Sequence, residues 1–210
     1  MTTTQIESTI GTLSSPSKIP CYSYSIPARH CITGQKLRSV EGSICSKCYA
    51  LKGRYVFPNV QSALDKRFEG IQHPQWVSLL SQLIKTKETS GYFRWHDSGD
   101  LQSVKHLANI CEIARNLPGI KFWLPTREFS IVSEYLRKNT LPDNLTVRLS
   151  ALMFDGAPPT AIAKRLGLVT SGASSDASTV TCPSSKQGGK CLDCRACWNK
   201  QVTNVNYKQH

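Results

Sequence analysis

Residues 92–151 read YFRWHDSGDLQSVKHLANICEIARNLPGIKFWLPTREFSIVSEYLRKNTLPDNLTVRLSA. Three short runs rich in aromatic and branched residues, Tyr92 to His96, Lys121 to Leu124 and Leu145 to Leu152, alternate with two stretches of helical apolar spacing, Leu101 to Leu117 and Ile131 to Lys138. Pro118 and Gly119 stop the first of these helices. Strands that alternate with helices need crossover connections, and right-handed crossovers make the strands parallel. The fold class is therefore α/β, built on a parallel strand-helix repeat.

The pattern extends on both sides of this stretch. Upstream, Val60 to Gln72 and Gln75 to Lys87 have helical spacing, with Trp76, Leu79, Leu80 and Leu83 on one face. Downstream, Thr160 to Leu168 predicts a short helix and Ser178 to Cys182 a weaker fourth strand. Four strands are too few for an eight-unit barrel, so the repeat suggests a partial or reduced (β/α) barrel. Residues 1–18, rich in Ser and Thr, are expected to be a flexible amino-terminal arm, and residues 19–210 a single α/β metal-binding domain with irregular cysteine-rich segments at both ends.

The chain carries 26 Lys and Arg against 14 Asp and Glu, a net charge of +12 that favours a polyanionic partner such as a nucleic acid or a nucleotide. Part of that excess would also neutralise an anionic metal-thiolate centre. No run approaches the roughly 18 apolar residues of a membrane span, and MTTTQIESTIGTLSSPSK lacks the apolar centre of a signal peptide. The expectation is a soluble intracellular protein without a membrane partner. In a reducing compartment its nine cysteines suit metal binding better than disulfides.

Four cysteines lie in TCPSSKQGGKCLDCRACW, residues 181–198: Cys182, Cys191, Cys194 and Cys197. Two intervening residues let successive thiolates converge on one metal while backbone N–H groups turn toward the sulfurs. Cys45 and Cys48 in SICSKCYA repeat that spacing, with Cys31 upstream in ARHCITG and Cys21 further back in IPCYSY. Taken alone, the Cys45–Cys48 pair also fits a redox dithiol. Cys111, on the apolar face of a predicted helix, reads as core. Spacing separates zinc from an iron-sulfur cluster poorly, and Cys45 and Cys48 could join Cys194 and Cys197 in a zinc ribbon. The three-cysteine run and the irregular amino-terminal set favour iron-sulfur, 4Fe-4S in particular, with Zn as the alternative.

Polar residues cluster where the strands end. Arg94, His96, Asp97, Ser98 and Asp100 fall at the first strand end, with alternation placing Arg94 and His96 on one face. Arg127 and Glu128 follow the second strand, and Arg148 lies within the third. Together these eight residues outline a ligand pocket in which Arg94, Arg127 and Arg148 would grip a carboxylate or phosphate. The plainer reading pairs the arginines with Asp97, Asp100 or Glu128, and makes Asp100 the N-cap of the following helix.

The segments KGRY (52–55), FRWHDSGDL (93–101), FWLPTRE (122–128), NLTVRLSA (144–151) and CRACW (194–198) resemble, in that order, the bacteriophage family called gene product 88. The resemblance runs from about Lys18 to the end of the chain. It implies a phage-encoded protein in the cytoplasm of an infected bacterial host, with Cys31, Cys45, Cys48, Cys182, Cys191, Cys194 and Cys197 in family motif segments and Cys21 outside them. An amino-terminal set of three thiolates would leave one iron of a 4Fe-4S cluster open, the position radical enzymes use to bind S-adenosylmethionine. The chain departs from those enzymes in lacking their C-x3-C-x2-C triplet, since 13 residues separate Cys31 from Cys45. The expected function is an iron-sulfur protein with an arginine-lined pocket, a redox or radical enzyme acting on a nucleic acid or nucleotide. The alternative is a zinc-stabilised, non-enzymatic protein that binds nucleic acid or a host protein.

Overall fold

The computed structural model describes residues 1–209. Six strands form one sheet: β1 (Ser23–Tyr24), β2 (Tyr92–Trp95), β3 (Lys121–Thr126), β4 (Leu145–Ser150), β5 (Val169–Ser174) and β6 (Asn204–Lys208). Their spatial order is their order in sequence, and every neighbouring pair is parallel. Between them run α1 (Thr3–Ile10), α2 (Ile32–Leu37), α3 (Pro58–Gly70), α4 (Trp76–Lys87), α5 (Val104–Asn116), α6 (Phe129–Leu136) and α7 (Thr160–Leu166). The class is thus α/β with an all-parallel sheet, as the alternating pattern requires.

The two faces of the sheet bury different chemistry, because successive side chains in a strand point to opposite sides. Phe93, Trp95, Phe122, Leu124, Leu145, Val147 and Leu149 turn toward one face and join residues of α1, α4, α5, α6 and α7 in the main core. On the opposite face Trp123 and Val205 meet Cys21, Cys197 and Trp198 in a second, smaller core. A parallel sheet needs cover on both faces. Here helices supply one cover, and the irregular carboxy-terminal segment supplies the other.

Four details differ from the sequence reading. The segment expected to be a loose arm forms α1, whose start is closed by a capping box between Thr2 and Gln5 and whose Ile6 and Ile10, one turn apart, are buried. Its Ser- and Thr-rich composition masks that apolar pair. The stretch Ser178 to Cys182 is not a strand, because Asp176 accepts the Ser178 backbone N–H at 2.8 Å and turns the chain. The strand lies earlier, at β5, where small residues gave no apolar signal. β1, with two residues, and β6, with Val205 as its buried anchor, went unread for similar reasons. Finally, α5 begins at Val104 with Ser103 as its N-cap, so Asp100 does not cap it.

Candidate metal centres

The amino-terminal cysteines occupy a chain of short 3-10 turns and α2, and this segment is fastened to three successive strand ends. Beyond β2, Asp97 accepts hydrogen bonds from Ser23 at 2.8 Å, from Ser25, and from Tyr55 at 2.6 Å, while its backbone carbonyl accepts the Tyr49 hydroxyl. Beyond β3, Glu128 accepts the Thr33 backbone N–H at 2.8 Å and its hydroxyl at 2.7 Å. That carboxylate meets the first turn of α2, where free N–H groups favour negative charge. Beyond β4, the Ile44 N–H donates to the Leu152 carbonyl at 2.9 Å, and Ser43 bridges to Met153. Cys31, Cys45 and Cys48 are thereby held, half-buried, above the carboxyl ends of β2, β3 and β4.

Gly34 sets the spacing inside this group. A methyl added there would stand 2.8 Å from the Cys31 Cβ and 3.7 Å from each of the Cys31 and Cys45 sulfurs. The missing side chain leaves room beside both thiols. Burial pushes the Cys31 thiol well above its ordinary value, helped by Asp100 and by the neighbouring cysteines, and burial raises Cys45 as well, against the pull of Arg127. Metal binding must displace these protons. Gly34→Ala improves helix propensity by about 1 kcal/mol yet crowds Cys31. Circular dichroism should therefore show an intact fold, while metal bound by the amino-terminal set falls at least tenfold and carboxy-terminal metal is retained.

The carboxy-terminal set lies on the face of the sheet opposite the helices. Cys182, Cys191, Cys194 and Cys197 all line one small cavity of about 20 Å3, together with Trp198 and Val205. The Cys197 sulfur lies 3.2 Å from the Tyr207 hydroxyl, and Cys182 lies 3.2 Å from the Ser184 hydroxyl. Burial pushes the Cys197 thiol up to about 11. Cys21, buried in the same small core, is pushed up to about 12 chiefly by burial, with Cys191 among its charged neighbours. It belongs beside this set and not beside Cys31. Among the described residues no three His, Cys, Asp or Glu side chains already stand at metal-ligand spacing.

Arg148 fixes this segment to the sheet. It is fully buried, and its five N–H groups are all used: Nε donates to the Cys197 carbonyl at 3.0 Å, Nη1 to Thr170 and Val202, and Nη2 to Ala196 and Asn199. Thr146 adds a bond to the Trp198 carbonyl at 2.8 Å, and the Trp198 indole donates to the Phe93 carbonyl at 2.9 Å. No carboxylate offsets the Arg148 charge, since the two ion pairs among the described residues are Arg29 with Asp65 and Lys87 with Glu7. A buried cation without a carboxylate suits a neighbour that becomes anionic, as cysteine thiolates do on binding a metal.

The residues expected to form one pocket therefore have separate tasks. Asp97 and Glu128 are fasteners, and Ser98 donates to the Ile26 carbonyl at 3.0 Å. Asp100 accepts from Thr126 at 2.6 Å and from the Arg127 N–H at 2.9 Å, and burial raises its carboxyl to about 6. His96 does not share a face with Arg94: its φ of 56° breaks the alternation, so its ring lies beside His106 and Trp95, and burial pushes its pKa down to about 4. Arg148, with no donor left, cannot grip a ligand without releasing the carboxy-terminal segment. Arg94 and Arg127 remain. The Arg94 guanidinium lies 4.7 Å over the Trp123 ring with its buried Nε unpartnered, and the Arg127 Nε donates to the Ala151 carbonyl at 3.0 Å. Thr33, Tyr49 and Tyr207 were not singled out in the sequence, whereas Tyr55 closes the KGRY segment and Gly34 lies in the irregular cysteine-rich stretch.

A roomier cavity, about 440 Å3, lies elsewhere, at the amino-terminal ends of β4 and β5. Leu136, Leu141, Leu166 and Leu168 dominate its lining, and it contains no thiol or carboxylate. No helix among the described residues is long and apolar enough to cross a membrane. A family model described as Gene product 88 matches residues 2–200. No curated protein and no solved structure matches the chain.

Proposed function

The chain belongs to the Gene product 88 family, and on that premise we propose that it is a phage-encoded iron-sulfur enzyme whose Cys31, Cys45 and Cys48 hold a 4Fe-4S cluster open to S-adenosylmethionine. The observation that carries this reading is the fastening of the segment containing Cys31, Cys45 and Cys48 to the carboxyl ends of β2, β3 and β4. Parallel α/β folds carry their chemistry at those ends. The sheet itself reads as the wall of a partial barrel. Its strand order never reverses, and α1, α4, α5, α6 and α7 contribute to a single core on one face. A doubly wound sheet would reverse its order at a switch point.

A cluster held by three thiolates supplies one-electron chemistry and leaves one iron for a cofactor. The chain's own residues do the rest. Asp97 and Glu128 hold the cysteine segment in register, Arg127 offsets negative charge beside Cys45, and Arg94 offers an unpartnered donor to a carboxylate or phosphate. The substrate in this reading is a nucleic acid or nucleotide, in keeping with the +12 charge. The test is electron paramagnetic resonance of the reduced protein with and without S-adenosylmethionine. A shifted cluster signal is the expected result, and an unchanged one would remove the open iron.

A specific observation favours a second metal of another kind. The four carboxy-terminal cysteines line one small cavity. Four thiolates around one ion are the usual surroundings of structural zinc. In the alternative reading the whole protein is a zinc-stabilised binder of nucleic acid or a host protein, and both cysteine sets serve only the fold.

A further inference from the structure

Eight large hydrophobic residues are exposed among those described, and six of them fall within residues 32–57: Ile32, Val40, Tyr49, Leu51, Val56 and Phe57. The turn Tyr49–Leu51 packs on the turn Gly53–Val56, and that on the start of α3, so Tyr49, Leu51, Val56 and Phe57 lie near one another, and exposed apolar residues gathered in this way mark an interaction surface. The same segment exposes Lys36, Lys47, Lys52 and Arg54 against one acidic residue, Glu41. The aromatic rings are not loosely held. The hydroxyls of Tyr49 and Tyr55 end on Asp97, their ring centroids are 5.7 Å apart, and the Tyr49 residue is still 44% exposed. Phe57, at the start of α3, is 54% exposed.

We infer that this face, next to Cys48, is a docking platform for single-stranded nucleic acid. Fixed aromatic faces interleaved with cations match a strand whose bases are free to stack and whose phosphates run alongside. A duplex hides its base faces and would use only the cations. A neutral apolar partner would leave Lys47, Lys52 and Arg54 without a counterpart. This inference rests on the reading of the neighbouring cysteines as a working site and names its substrate class as a polynucleotide.

Fluorescence anisotropy of a labelled oligothymidine with the full, metal-assayed protein tests it. Binding should weaken steeply over roughly 50 to 200 mM salt, and replacing Lys47, Lys52 and Arg54 with glutamine should reduce the log-log salt slope by about 2. Phe57→Ala should weaken binding by about tenfold, within the range of one lost base stack, without changing metal content. Equal affinity for duplex, variants that bind like the parent, or no binding would each overturn the platform. So would self-association in sedimentation that Phe57→Ala abolishes without any oligonucleotide affinity, because the face would then be a contact between copies. Failure of oligonucleotide binding with iron and sulfide still present defeats this inference alone, whereas absence of cluster iron defeats the metal reading independently of the anisotropy.

Discussion

Arg148→Ala is expected to destabilise the protein by about 3 kcal/mol or more, because buried carbonyls left without a donor cost about 1 to 3 kcal/mol each, which corresponds to a fall in Tm of roughly 10 °C for a chain of this size. The substitution removes the shared donor of five backbone carbonyls, those of Thr170, Ala196, Cys197, Asn199 and Val202, in a site that is fully buried. The Ala196 and Asn199 carbonyls keep the backbone N–H groups of Asn199 and Val202, so the cost falls chiefly on the others. Arg148→Lys keeps the charge but offers three donors, so it should fall between the parent and Arg148→Ala. On the proposed metal reading, carboxy-terminal metal should be lost along with the stability, because Arg148 holds the carbonyls of Ala196 and Cys197 on either side of the Cys197 thiol. Thermal melts with metal analysis check both effects. If Arg148→Ala melts like the parent, Arg148 does not hold the segment.

The second large effect follows from the proposed metal sites and concerns which cysteines would hold which metal. Cys45→Ser should remove the amino-terminal metal almost completely and leave the carboxy-terminal one, and Cys194→Ser should do the reverse. The separation follows from placement. Cys31, Cys45 and Cys48 stand beyond the strand ends beside Asp100 and Arg127, whereas Cys182, Cys191, Cys194 and Cys197 share a cavity on the sheet face. A zinc ribbon joining Cys45 and Cys48 to Cys194 and Cys197 would instead lose its metal entirely with either variant. The two variants should also differ in stability. Cys194→Ser removes a cross-link of the carboxy-terminal cover and should lower Tm more, since bound metal contributes folding free energy directly.

Much of this arrangement was legible in residues 92–151 because their apolar periodicity switches cleanly between strand and helix. β2, β3, β4, α5 and α6 carry buried aromatic and branched residues whose spacing announces the element. β5 and β6 were not legible. β5 reads VTSGAS and β6 NVNYK, each with a single branched apolar residue among polar or small ones, and Arg148, Ser150 and the carboxy-terminal segment give these strands polar partners. The cysteine sets were visible from their spacing, but their separation was not, since it depends on Glu128 reaching Thr33 across 95 positions of the chain. Arg148 shows why residue type alone misassigned the pocket. An arginine in a strand reads as an anion ligand, and only the tertiary fold reveals that carbonyls of β5 and of residues 196–202 consume its donors.

The most direct test is metal and acid-labile sulfide analysis of the anaerobically purified protein, read beside Cys45→Ser and Cys194→Ser. Iron and sulfide near four each per chain, as a single 4Fe-4S cluster requires, that vanish in Cys45→Ser and persist in Cys194→Ser would bear out a cluster at the strand ends. Zinc without sulfide in the parent protein, or iron that survives Cys45→Ser, would overturn it.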